Sequence, residues 1–136
     1  MIHRLTGALE FQAQALVLRA ERQRVVASNI ANADTPGYVA RDMDFASALR
    51  EATGQAATAG RLNATAAGHL QPLAGARTEA HLRYATPSQT NRDRNTVDRD
   101  RERASFADNS VKYEATLRFI NGSVRTMLEA IKGQAQ

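Results

Sequence analysis

Large apolar residues crowd the two ends of this chain and nearly vanish between them. Positions 1–45 hold 15 Val, Ile, Leu, Met, Phe or Tyr residues and positions 95–136 hold 11, whereas positions 46–94 hold six: Leu49, Leu62, Leu70, Leu73, Leu82 and Tyr84. A stretch so poor in apolar area cannot offset its own ordering entropy. The centre is therefore expected to be short, irregular and loop-rich, most of all over the Ala/Thr/Gly run 52–68. The chain divides into an N-terminal helical segment (1–34), a turn plus loop-rich centre (35–94) and a C-terminal helical segment (95–136).

The first segment carries a stripe at alternating three- and four-residue spacing: Ile2, Leu5, Leu9, Gln12, Leu16, Arg19, Gln23, Val26, Ile30 and Ala33, seven of the ten apolar. Nothing after Gly7 breaks it, so the spacing predicts one long helix. Thr35-Pro36-Gly37-Tyr38 places Pro and Gly at the central positions of a type II turn. The residue before a proline is also driven out of helical geometry. The helix is expected to stop near Ala33 or Asp34. The last segment repeats the pattern through Phe106, Ser110, Tyr113, Leu117, Ile120, Val124, Met127 and Ile131, which predicts a helix over 96–131. Asn95 or Thr96 is placed to cap its start, and Asp98, Asp100 and Glu102 suit the positive end of its dipole.

Both helices also carry apolar residues off these stripes, among them Phe11, Val17, Leu18 and Val25 in the first and Val111, Phe119 and Leu128 in the second. Apolar residues on more than one face call for neighbours on more than one side, and one helix pair has a single shared seam. A bundle completed by the centre is the alternative, but the centre lacks the apolar repeat to supply a helix. The pattern favours a core completed by assembly with other subunits.

Composition removes several function classes. No apolar run approaches the ~18 residues needed to cross a bilayer, and no compact apolar stretch with a small-residue cleavage site begins the chain, so no cleaved signal is expected. There is no cysteine, hence no disulfide and no thiolate chemistry. The net charge of +4 is spread evenly, and the arginine-dense run 92–103 alternates five arginines with four acids. That is a solvated face rather than a nucleic-acid footprint. His3, His69 and His81 are scattered, no nucleophile elbow or phosphate-cradling loop is present, and Asp42 and Asp44 read as turn carboxylates. Asn63-Ala64-Thr65 and Asn121-Gly122-Ser123 match the glycosylation pattern only weakly. No catalytic residue, metal ligand, cofactor or small-molecule substrate is expected, and the chain reads as no enzyme.

The most informative stretch runs Ser28-Asn29-Ile30-Ala31-Asn32-Ala33-Asp34-Thr35-Pro36-Gly37-Tyr38. Asn29 and Asn32 lie three apart on the last helical turns, where asparagine is a poor helix former. Their amides can bond free carbonyls of the helix end, the turn, or another chain. An Asx-rich helix terminus and a contact element fit the residues equally well.

Residues 28–42 (SNIANADTPGYVARD) are similar to the N-terminal signature of the bacterial flagellar axial proteins, the rod and hook family. The likeness extends to Leu9-Glu10-Phe11-Gln12, to Leu18-Arg19-Ala20-Glu21-Arg22-Gln23 and to Ala40-Arg41-Asp42-Met43-Asp44-Phe45. In the second half it covers Asn95-Thr96-Val97-Asp98, Asp100-Arg101-Glu102, Phe106-Ala107-Asp108-Asn109-Ser110 and Tyr113. Together these make roughly 85 residues in the family's order. Two departures stand out: Asp93-Arg94 where the family has Asp-Gly, and Arg99 where it commonly has an apolar residue.

The resemblance implies a mainly α fold whose terminal helices pair as an antiparallel coiled coil. Leu5, Leu9, Leu16, Val26 and Ile30 would then face Phe106, Tyr113, Leu117, Ile120, Val124, Met127 and Ile131. It further implies a structural subunit of the basal-body rod in the cell envelope, exported by the flagellar type III apparatus without a cleaved signal. Its partners would be itself, other rod proteins, the small adaptor FliE and the MS-ring protein. Asn29, Asn32, Thr35, Pro36, Gly37 and Tyr38 would form the turn and subunit-contact motif, and Phe45 and Leu49 resemble an element presented to the export gate. A helical adaptor or regulator binding a partner helix is the alternative reading.

Overall fold

A computed structural model describes residues 2–54, 82–87 and 90–133, with side chains from residue 6 onward. Leu5 and His3 therefore lie outside the described side chains. His69, His81, Leu62, Leu70, Leu73 and Asn63-Ala64-Thr65 lie outside the described residues.

Two long helices dominate. Helix α1 spans Ile2–Ala31, ending two residues short of Ala33 in a run of turns, and pairs with a C-terminal helix that spans Arg99–Gly133. Arg19 meets Asn109, Gln23 meets Phe106 and Asn29 meets Glu102, so the two helices run antiparallel.

The described parts of the centre are more ordered than the sequence suggests. Strand β1 (Arg41–Met43) pairs antiparallel with β2 (Leu82–Tyr84), with Asp42 opposite Arg83. Between them α2 (Phe45–Ala52) packs on α1. Asp44 starts α2 by accepting from Ser47 N at 3.1 Å and Ser47 Oγ at 2.9 Å, an N-cap that a hydrophobicity count cannot register. The C-terminal helix, α3, is also capped by a carboxylate: Arg101 N donates to Asp98 Oδ1 at 3.2 Å. Asp98 thus takes the role expected of Asn95 or Thr96.

The core is built from small side chains. Ala33, Ala40 and Val97 form its centre, with Tyr38 and Ala85 packed against them, while Ala15, Val26, Met43 and Ala48 are buried elsewhere. Alanines bring the backbones close but bury little apolar area each. Polar side chains carry an unusual share of the interior, since the two largest fully buried side chains are Asn29 and Asn109.

Candidate functional site: the joint between the two long helices

Where α1 ends and α3 begins, two asparagines from distant parts of the chain organise the backbone. Asn29 is 0 % exposed. Its Oδ1 accepts from Arg41 N at 3.0 Å and from the Tyr38 hydroxyl at 3.2 Å, and its Nδ2 donates to Arg41 O at 2.7 Å. The Glu102 carboxyl of α3 lies beside it, where the amide favours its charged form. One amide thus ties the end of α1 to Tyr38 and the post-turn strand.

Asn95 does the same from the other side. Its Nδ2 donates to the carbonyls of Asn32 (2.9 Å), Ala33 (3.0 Å) and Thr35 (2.9 Å), and its Oδ1 accepts from Val97 N at 2.8 Å. These carbonyls lie in the turns that follow α1, beyond its helical hydrogen bonds. The side chain that sequence reading places at the start of α3 therefore caps the end of α1, 60 or more residues back.

The turn has the geometry that Pro36-Gly37 favours. Tyr38 N donates to Thr35 O at 3.3 Å and Gly37 has φ +73°, the left-handed value that the third position of a type II turn needs. Asn32 donates to Ser28 O at 2.8 Å and accepts from the Thr35 hydroxyl at 3.2 Å. Thr35, Pro36 and Gly37 form an exposed tip, while Tyr38 is half-buried. Residues 91–96 brace this tip along its length. Gly37 N donates to Asp93 O (2.8 Å), Thr96 N to Tyr38 O (3.1 Å) and Ala40 N to Thr96 Oγ1 (2.9 Å). Both departures from the rod and hook pattern fall here. Arg99 pairs with Asp34 of the turn, and Arg94 holds φ +58° without being glycine.

Further along the pair, the face that α3 turns to α1 is polar. Its least exposed positions include Ser105, Asn109, Thr116, Ile120, Ser123 and Met127. Asn109, 1 % exposed, donates to Arg19 O at 2.9 Å and to Gln23 Oε1 at 2.6 Å, and Gln23 Nε2 donates to the Ser110 hydroxyl at 2.7 Å. Of the stripe read from spacing, Ile120 and Met127 are half-buried, but Phe106, Tyr113, Leu117, Val124 and Ile131 are exposed, Leu117 at 39 % and Ile131 at 64 %. The packed face is thus offset by about one position from the apolar stripe, with Asn109 and Thr116 as its buried positions and Ile120 and Met127 half-buried beside them. On α1, Val26 is buried and Leu9, Leu16 and Ile30 are half-buried. Beside the exposed stripe an open, largely apolar groove is lined by Ala20, Gln23, Arg24, Ala27, Ser110 and Tyr113.

Phe45 and Leu49 are half-buried on α2, with the Arg19 guanidinium 4.6 Å from the Phe45 ring centroid. Desolvation, reinforced by Arg22, lowers the pKa of Arg19, and desolvation raises that of Glu102. Asp42 accepts from Met43 N and lies 3.8 Å from Arg22. Among the described residues no three His, Cys, Asp or Glu side chains gather where they could hold a metal ion. The arrangement offers contact surface.

The amino-acid sequence matches known proteins over nearly the whole chain. A flagellar basal body rod protein FlgB from Proteus mirabilis is 47 % identical over 135 residues, covering 97 % of this chain and 98 % of its own length. The FlgB of Salmonella typhimurium is 46 % identical over 136 residues, covering 98 % of this chain and 99 % of the relative. That of Cereibacter sphaeroides is 39 % identical over 126 residues, covering 93 % and 94 %. The chain belongs to the FlgB family of flagellar basal body rod proteins. The family described as flagella basal body rod protein also matches residues 9–38, which hold most of α1 and the whole turn. Asn29 and the type II turn of this FlgB-family chain lie inside that match, whereas Asn95, which caps the same helix, lies outside it.

Proposed function

We propose that this basal-body rod protein works by polymerising into a tubular axial structure that links the MS ring to the distal rod and transmits torque. The observation that carries the reading is the inverted polarity of α3. The helix turns Asn109 and Thr116 inward and leaves Phe106, Tyr113, Leu117, Val124 and Ile131 exposed along one flank. An exposed apolar stripe rimmed by polar residues suits burial against other chains, and a surface that meets a different surface on the next copy generates an open helical polymer. In the assembled rod the terminal helices act as an antiparallel coiled coil whose spare faces contact neighbouring subunits. The 35–38 tip adds a second contact.

Partners follow from position at the rod base: other rod proteins, FliE and the MS-ring protein. The chain reaches them through the flagellar type III apparatus without a cleaved signal, with Phe45 and Leu49 as the element presented to the export gate.

The test separates folding from assembly. Leu117→Asp and Val124→Asp change side chains that the isolated chain leaves 39 % and 42 % exposed. Each purified variant should stay folded and helical, losing about 1–2 kcal/mol from helix propensity and from the covered part of the side chain. Cells carrying either should be non-motile, with basal bodies lacking rods in electron micrographs. Intact rods and normal swimming in both would refute the interface. A soluble oligomer of fixed size in place of open-ended polymer would favour the adaptor reading.

A further inference from the structure

We propose that the 32–40 turn is a composite element, shaped only when residues 91–97 dock onto it, and that Asn95 and Thr96 are its positioning residues. The exposed tip is not held by its own sequence alone. Ala33 O and Thr35 O accept from Asn95 Nδ2, Gly37 N donates to Asp93 O, Tyr38 O accepts from Thr96 N, and Ala40 N donates to Thr96 Oγ1. Five of the backbone groups from Ala33 to Ala40 thus find partners in a segment more than 50 residues later. Asn95 is 3 % exposed, and its two N–H hydrogens serve three carbonyls. Without that donor, the Ala33 carbonyl faces the core without a partner, and buried carbonyls tolerate that poorly.

The consequence is conditional presentation. A chain whose second half has not docked lacks the partners that set the tip, so α1 can form before the tip acquires its final shape. Docking of 91–97 also places Asp98, the cap of α3, so the tip and the exposed stripe of α3 become available together. This second step rests on the proposed reading of the tip as a subunit contact.

Hydrogen exchange on the full-length chain tests it. Asn95→Asp keeps the shape and the acceptor for Val97 N but puts an oxygen that repels the three carbonyls in place of both donors, Thr96→Val removes only the hydroxyl, and Thr96→Ser restores it. Amides of residues 33–40 should exchange at least about fivefold faster in Asn95→Asp and Thr96→Val. They should match wild type in Thr96→Ser, and amides of 105–120 should stay protected in all three. Unchanged exchange over 33–40 would show that the turn is autonomous and overturn the proposal. So would a uniform rise along the whole chain in Thr96→Val. In the bacterium, Asn95→Asp and Thr96→Val should lose rods and Thr96→Ser should keep them. Faster exchange with intact rods would uphold the composite turn and overturn only the reading of the tip as a subunit contact.

Discussion

Arg94 offers the sharpest quantitative test. It sits at φ +58° in the turn that leads into the joint, where Arg94 N donates to Asn91 O at 2.9 Å and Asn91 N to Asn95 O at 3.0 Å. An L-residue in the left-handed region bears about 1–2 kcal/mol of steric cost. Glycine escapes it but loses about 0.5–1 kcal/mol more chain entropy on folding. Arg94→Gly should therefore stabilise the chain by about 0.5–1 kcal/mol, since the Arg94 side chain is exposed and its backbone bond survives. In urea denaturation followed by circular dichroism, that gain raises the midpoint by about 0.4 M at an m-value near 2 kcal/mol/M, with m unchanged. Two further variants isolate the cause. Arg94→Asn should gain part of the effect, because asparagine tolerates this conformation, and Arg94→Ala should gain none. If glycine and alanine behaved alike, backbone strain would not be the operative term, and the reasoning would fail.

Gly37→Ala makes the complementary change. A Cβ there meets nothing within 4 Å, so the loss should come from φ +73° alone, about 1 kcal/mol by the same denaturation assay. Asn29→Ala strands Arg41 N and Arg41 O and leaves the Tyr38 hydroxyl only Ser28 Oγ, so it should cost about 2–3 kcal/mol, seen as a large fall in midpoint. Glu102 provides a pH signature. Its folded-state pKa is raised, chiefly by desolvation, so the stability it contributes is present below the unfolded carboxylate pKa and is lost as pH rises through the folded value. Glu102→Gln should accordingly be more stable than wild type at pH 7 and lose that advantage at pH 3, and a constant difference across this range would contradict the assignment.

Much of the framework was legible because it is local. The stripes marked both long helices, and Pro36-Gly37 marked the end of the first and its type II turn. The short elements of the centre were not legible. Strand β1 has three residues and pairs with a partner about 40 positions away, and α2 is a helix of eight residues started by the Asp44 cap. The joint was half-legible: Asn29 and Asn32 stood out as unusual helix residues, but Asn95 looked like a cap for the helix that follows it. Nothing in local spacing says that its amide serves carbonyls at Asn32, Ala33 and Thr35.

By itself, then, the sequence determined where helices run, where the first one must stop and that large apolar groups outnumber what one helix pair can bury. Propensity, proline sterics and hydrophobic periodicity act over a few residues and can be read in one dimension. Tertiary structure alone decided which face of α3 meets α1, with Asn109 inside and Leu117 outside, and which chain segment closes the end of α1. Periodicity reveals that a stripe needs cover without naming what covers it, and a buried amide goes wherever unpaired carbonyls come within 3 Å in the fold.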